Sequence, residues 1–235
     1  MTAALLKKGY GVTVLIHSPQ QAQGFDNNVT TICGDLLTRL DLAKAMQGCT
    51  AVYHICPNMH LEEVRIGELV IQVAKSCGVG HFVYHSVLHP NIKVMPHHWK
   101  KLQVEALLFK SGLNFTILQP AAYMQNLLQY RLAVLEKGSY SVPYNGRTRI
   151  GMVDLRDVAE VAARIITDER HFGSTFELAT DEIFTQLELT DLFSHHCRRE
   201  ITFKEIPRKQ WELAMVKSHM AAYAIATLAS MFRYY

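Results

Sequence analysis

None of the five cysteines, at positions 33, 49, 56, 77 and 197, belongs to a Cys-x-x-Cys pair, and they are odd in number and widely spaced. That excludes a disulfide scaffold and a zinc ribbon, and reads as the reduced thiols of an intracellular, cytoplasmic protein. Charge is scarce and nearly balanced: charged residues make up 19%, and 24 basic residues against 21 acidic ones leave a formal net charge of +3. The Lys and Arg residues are scattered, so no nucleic-acid partner is expected. No apolar run reaches the length of a membrane span, and Lys7-Lys8 follow the first apolar turn, the reverse order of a secretory leader, so no membrane partner is expected either. Repeats and low-complexity tracts are missing as well. What remains is a chain of 235 residues with 49% hydrophobic content, ample for a single core without staples.

Short, continuous apolar runs alternate with helix-period segments. Val12–Ile16, Val29–Cys33, Ala51–Ile55, His81–Ser86 and Asn114–Leu118 read as buried strands. Thr2–Lys8, the stripe Leu40, Ala43, Ala45 and Met46, Leu61–Ser76 and His98–Lys110 read as the helices between them. Strands that are apolar throughout belong to a parallel sheet covered on both faces, so the expected class is a doubly wound α/β fold. Beyond Pro120 the texture changes. Met124–Glu136 predicts a helix, and Asn145-Gly146 between Tyr140–Pro143 and Thr148–Val153 predicts a tight hairpin. Asp154 or Asp157 caps a helix with Val158, Val161, Ala162, Ile165 and Ile166 inside, and one helical segment runs from Arg208 to the end. The division expected is residues 1–120 as a dinucleotide-binding region and 121–235 as a smaller α/β lobe interleaved with its sheet.

A doubly wound sheet binds ligands at the carboxyl ends of its strands, where a glycine turn normally cradles phosphate at a helix N-terminus. Gly9-Tyr10-Gly11 follows a helix and precedes a strand, the wrong order for that task, and reads as a plain helix-to-strand turn. The chain opens inside a helix, without the strand and glycine loop that a parallel α/β unit places upstream. Two histidine groups, His81/His85/His89 and His195-His196-Cys197, invite a zinc reading. Neighbours on a helix point about 100° apart and no second cluster has ligand spacing, so no metal is assigned.

Several ordered stretches resemble the NmrA-like branch of the atypical short-chain dehydrogenase/reductases. Ala4–His17 is similar to that family's first helix and second strand, and Gly34-Asp35-Leu36 to its adenine-side loop. His81–Ser86 resembles the strand ending at the nicotinamide, Lys101–Glu105 its lysine-bearing helix, and Pro120–Asn126 the signature after its sixth strand. The resemblance implies a Rossmann-like sheet whose first strand and glycine turn are missing from between the strands at Val12 and Ala51. Unpaired buried backbone groups there would cost roughly 1–3 kcal/mol each, a large share of a stability of about 5–15 kcal/mol, unless the sheet closes up. Residues 1–235 are therefore expected to be a piece of a longer polypeptide or to begin at an internal Met, and to hold a dinucleotide weakly by themselves.

The resemblance also implies the site residues. His17 replaces the acid that would grip a ribose 2′-OH, which favours NADP over NAD, with an imidazole as a weaker substitute for Arg. Asp35 and Leu36 fall beside the adenine, and Pro120 and Tyr123 wall the nicotinamide. Ser86 is placed to bond the carboxamide or a substrate carbonyl, and Lys101 the ribose. Typical reductases of this class carry Tyr four residues before that Lys; His97 stands there instead. An imidazole can donate a proton, but His97-His98 read more naturally as solvated residues opening a helix, and Lys100 competes with Lys101 for the cofactor role. The reading is an NAD(P)H-dependent oxidoreductase passing hydride to a small quinone-like or conjugated acceptor. Its alternative is a non-catalytic NADP(H)-sensing regulator that acts through a protein partner.

Overall fold

The computed structural model describes residues 1–235. Helix α1 (Thr2–Leu6) leads into β1 (Val12–Ile16), which pairs in parallel with β2 (Val29–Cys33), Val12 opposite Val29 and Ile16 opposite Cys33. After α2 (Arg39–Met46) a second sheet begins with β3 (Ala51–His54) and continues through β4 (His81–His85) and β5 (Phe115–Pro120). Helices α3 (Glu63–Ser76) and α4 (Pro96–Phe109) connect these strands, and every pairing in this sheet is parallel. Its strand order is β3-β4-β5-β9, where β9 (Ser174–Leu178) returns from much later in the chain. The sheet does not close up: β1 and β3 belong to separate sheets, and both edges line one cleft.

The period of two along each strand sorts the core. Phe82 and Tyr84 of β4 and Phe115 and Ile117 of β5 face α3 and α4, packing on Ile66, Val70, Val73, Ala74, Val104 and Leu108. Val83 and Leu118 face the other way, against Ala162, Ile165 and Ile166 of α6 (Leu155–Ile165) and its end, with Leu5 of α1 alongside. Fully burying each large apolar side chain contributes roughly 1.5–3 kcal/mol. Both faces are covered, which is why β4 and β5 are buried at every residue while β1 and β3 are only half-buried.

The smaller lobe holds β6 (Ala122–Tyr123), a 3-10 stretch at Met124–Tyr130, α5 (Arg131–Lys137), β7 (Ser139–Val142) and β8 (Arg149–Val153). After β9 come β10 (Ile183–Thr185), α7 (Gln186–Cys197), β11 (Thr202–Glu205), α8 (Arg208–Lys217) and α9 (Ala222–Tyr234). Three expectations are corrected here. The Asn145-Gly146 hairpin does not form: β7 pairs with β11, and β8 with β10 and β6. Neither residue takes the positive φ that the tight hairpin turn requires; Asn145 instead accepts the Arg147 and Thr148 amides in an ordinary local turn. The Met124–Glu136 helix begins as 3-10, and the terminal helix is two helices broken near His219, which sits at φ 60°. Of the two candidate caps, Asp154 is the one used, accepting the Arg156 amide at 2.7 Å.

Gly67 marks the closest approach of α3 to α4. A Cβ there would lie 2.6 and 2.7 Å from the two Val104 methyls, inside any real contact distance. Gly67→Ala should therefore destabilise the protein by about 1–3 kcal/mol, through overpacking. Adding Val104→Ala should return part of that loss, although Val104→Ala alone is itself destabilising. Urea unfolding of the two single variants and the double variant checks the coupling, which vanishes if the helices do not touch at this point.

Candidate active-site cleft

A cleft of about 3010 Å³ runs along the gap between β1 and β3 and over the carboxyl ends of the parallel strands, and all eight residues expected at the site line it. His17 follows β1, Asp35 and Leu36 follow β2, Ser86 follows β4, Pro120 ends β5, Tyr123 lies in β6, and His97 and Lys101 come from the first turns of α4. Pro96 begins α4 because its missing N–H and fixed φ suit a first helical position.

Alternation along β4 divides the polar residues into two clusters. On the α3–α4 side, Lys101 is buried, and its ammonium donates to Glu63 Oε1 at 2.7 Å and to the His85 carbonyl at 3.3 Å. The Tyr84 hydroxyl donates to the same carboxylate oxygen at 3.4 Å, and its ring lies 5.4 Å from the ammonium. Two of the three ammonium N–H groups are thus engaged, and the third is left for a ligand. Lys100, by contrast, points elsewhere: it donates to the Leu61 carbonyl at 2.6 Å and sits over the Tyr223 ring of α9.

His97 and His98 are not solvated, contrary to the sequence expectation. His98 is buried with Nδ1 at 3.1 Å from the His89 carbonyl. His97 Nδ1 lies 3.7 Å from Glu63 Oε2, and neither atom has a hydrogen-bond partner. Burial first, then the nearby Lys101 charge, pushes the His97 pKa down to about 3. His54 of β3, stacked on Tyr84, is pushed down to about 3 by the same causes in the same order. Both imidazoles are neutral at ordinary pH.

Ser86 donates its hydroxyl proton to the buried Glu105 of α4, whose carboxylate also accepts from Gln119 Nε2 at 3.0 and 3.1 Å. Burial raises the Glu105 pKa, and the bonds from Ser86 and Gln119 oppose that rise. With its proton committed, Ser86 offers the cleft acceptor lone pairs only. On the α6 side of β4, His85 lies between two tyrosines: Nδ1 bonds the Tyr53 hydroxyl, and Nε2 is 2.6 Å from the Tyr123 hydroxyl. His81, at the other end of β4, bonds the Ile166 carbonyl and Thr116 instead.

At the opposite end of the cleft, Gly34 lies under the Asp41 side chain, where a Cβ would come within 2.6 Å of Asp41 Cβ. Asp41 takes the Asp35 amide at 3.1 Å while the Asp35 carboxylate takes the Leu37 amide at 2.8 Å, which fixes the loop after β2. His17 is exposed, its own amide held by Gln21 Oε1 at 2.7 Å.

The family model of the NmrA-like family matches residues 1–235. The chain belongs to that family. This NmrA-like chain is 29% identical over 192 residues to the NAD(P)H azoreductase of Xenophilus azovorans, covering 80% of itself and 65% of that protein. It is 25% identical over 205 residues to quinone oxidoreductase 2 of Escherichia coli, covering 87% of itself and 71% of that protein. The structure of the Citrobacter sp. triphenylmethane reductase complexed with NADP(H) superposes with a TM-score of 0.84 at 20% identity, covering 98% of this chain and 84% of that one. The NmrA-like chain thus spans about two thirds of the length of the two curated relatives.

The cleft of the NmrA-like chain is polar at two ends: a loop built around Gly34 at one, and a spare Lys101 donor with the Ser86 lone pairs at the other. Between them the chain's 13 glycines supply no Gly-x-x-Gly-x-x-Gly turn. Sequence reasoning missed Glu63, Glu105, Tyr53 and the role of His85. The signal for Tyr53 was parity: it pairs with Val83, so it shares a sheet face with His85 two residues on.

Two outcomes are expected. Lys101→Met leaves the buried Glu63 charge uncompensated and should destabilise the fold by about 3–5 kcal/mol, with Glu63→Gln in the same chain restoring part of it. Unfolded histidines take up a proton near pH 6.5, whereas His54, His85 and His97 stay neutral down to about 3. The unfolded state binds more protons in that window, so stability is full above about pH 6.5 and falls on acidification, by up to about 1.4 kcal/mol per pH unit for each histidine. Urea unfolding across the window should show that slope, and His54→Phe should flatten it; an unchanged slope would mean His54 is accessible to protons in the fold.

Proposed function

We propose that this NmrA-like protein is an NADP(H)-dependent oxidoreductase that passes hydride to a small quinone-like or conjugated acceptor. The observation that carries the reading is convergence: eight residues from six stretches of sequence line one cleft that reaches the carboxyl ends of the sheet. Two relatives, an NAD(P)H azoreductase and a quinone oxidoreductase, agree with it.

When bound, the reduced coenzyme supplies the hydride; the protein supplies orientation. His17 takes the 2′-phosphate side, with Asp35 and Leu36 beside the adenine. Lys101, braced by Glu63, gives its free N–H to a ribose hydroxyl, and Ser86 accepts from the carboxamide because its own proton belongs to Glu105. Pro120 and Tyr123 wall the ring. His97, neutral and pointed at Glu63, serves as a hydrogen-bonding group and not as the acid that the usual Tyr provides. That substitution also keeps a second reading open, a sensor that binds NADP(H) without turnover and signals to a protein partner.

The test is saturation-transfer NMR of the full chain with NADPH and NADH, followed by NADPH oxidation with a panel of benzoquinones, naphthoquinones and azo dyes. Binding that favours NADPH, with turnover of at least one acceptor class, is expected. His17→Ala should narrow the preference for NADPH. Binding without turnover across the panel would favour the sensor, and no binding of either coenzyme would refute both readings.

A further inference from the structure

Hydride transfer alone leaves a quinone-like acceptor one proton short, and the residue that usually supplies it in such reductases is replaced here by a histidine turned towards Glu63. The cleft holds another acid. Tyr123 of β6 lines it, and its hydroxyl is 2.6 Å from His85 Nε2, while His85 Nδ1 bonds the hydroxyl of Tyr53, which lines the cleft from β3. The three groups come from three strands, and the order follows from the sheet: Tyr53 and His85 share a face on adjacent strands, and Tyr123 ends the short strand that follows β5. Both rings meet the imidazole edge-on, with centroids 5.7 and 6.1 Å away, which aims each hydroxyl at a ring nitrogen.

The geometry points to Tyr123 as the catalytic acid of the reduction, recharged through His85 by Tyr53. This rests on the oxidoreductase reading above and deepens it. The acceptor takes two electrons and a hydrogen nucleus as hydride from the reduced nicotinamide. Its oxygen then forms a bond to the Tyr123 proton as the Tyr123 O–H bond breaks. Tyr123 oxygen takes the proton from His85 Nε2, Nδ1 takes one from Tyr53, and Tyr53 regains its proton from water in the cleft, so the sum is one hydride and one proton delivered. His85 changes tautomer and never carries charge; before the next turnover Tyr123 passes a proton to Nε2 and takes one from water in the cleft, while Nδ1 passes its proton to Tyr53 and Tyr53 releases one to water, so the reset is neutral overall and restores the starting tautomer.

The electrostatics suit a neutral relay. Burial, then the Lys101 charge whose ammonium bonds the His85 carbonyl, pushes the His85 pKa down to about 3, so an imidazolium intermediate is disfavoured. Burial raises both tyrosines, Tyr123 to about 12, so each is protonated and ready to donate. A neutral imidazole has one donor and one acceptor nitrogen. Only one order leaves the Tyr123 proton free for the acceptor: Tyr53 donates to Nδ1, and Nε2–H donates to Tyr123.

That order gives a readout independent of turnover. Nitrogen-15 NMR of His85 in the full chain should find the Nε2–H tautomer, and Tyr53→Phe should shift the Nδ1 resonance as its donor is lost. With NADPH and a naphthoquinone, Tyr123→Phe should lower kcat by about 100-fold or more, in the range of general acid catalysis, with the KM for NADPH unchanged. Tyr53→Phe should lower kcat less and reduce the solvent deuterium isotope effect. A dominant Nδ1–H tautomer overturns the relay, as does turnover by Tyr123→Phe at the wild-type rate. If Tyr123→Phe does not fold, the wild-type tautomer and the Tyr53→Phe isotope effect decide. Absence of quinone turnover in the wild type is a different failure, because it removes the oxidoreductase reading itself.

Discussion

An ammonium and a carboxylate removed from water must satisfy each other, and the Lys101–Glu63 pair does so where α3 and α4 meet the end of β4. Much of the cleft follows from that requirement. Glu63 can be buried at the first turn of α3 only because Lys101 reaches it from α4, and Lys101 can be buried only with both Glu63 and the His85 carbonyl as acceptors. The positive charge held there depresses His54, His85 and His97 beyond what burial alone does. Burial first, and the charge of this one ion pair second, keep three imidazoles around the cleft as neutral hydrogen-bonding groups and not cations.

The strand period then partitions the chemistry. Residues 82 and 84 of β4 belong to the helix-covered side with the ion pair, and residues 83 and 85 to the side that leads to α6 and the tyrosines. Ser86, the first residue past the strand, belongs to neither cluster and turns to Glu105 and Gln119. Three polar arrangements thus arise within three consecutive residues without competing for the same partners. Around these arrangements His54 Nε2, Glu63 Oε2 and His97 Nδ1 are the buried polar atoms left without a partner.

Much of this was legible in the residues. The strands at Val12, Val29, Ala51, His81 and Asn114 announced themselves because a parallel strand buried on both faces needs an unbroken apolar run. Ser86, Lys101 and Tyr123 were legible through ordered family motifs. The rest depended on contacts distant in sequence. Glu63 looked like an ordinary first-turn acid, and nothing local says that Lys101, 38 residues on, closes upon it. Asn145-Gly146 has the composition of a hairpin, but β7 and β8 find better partners in β11, β10 and β6, and tertiary pairing overrides turn propensity. His85 was grouped with His81 and His89 by residue type, whereas the pleat groups it with Tyr53.

The return of β9 to the main sheet bears on how the chain comes to be folded. Strand β5 is buried along its whole length, and what covers its outer edge is Ser174–Leu178, contributed after the intervening elements from β6 to α6 have been made. During synthesis the strands up to β5 emerge with that edge open, a row of unpaired amides and carbonyls that invites pairing with another chain. The sheet cannot be sealed until Leu178 has left the ribosome, so β5 stays open to wrong partners for as long as the elements between β5 and β9 take to be made.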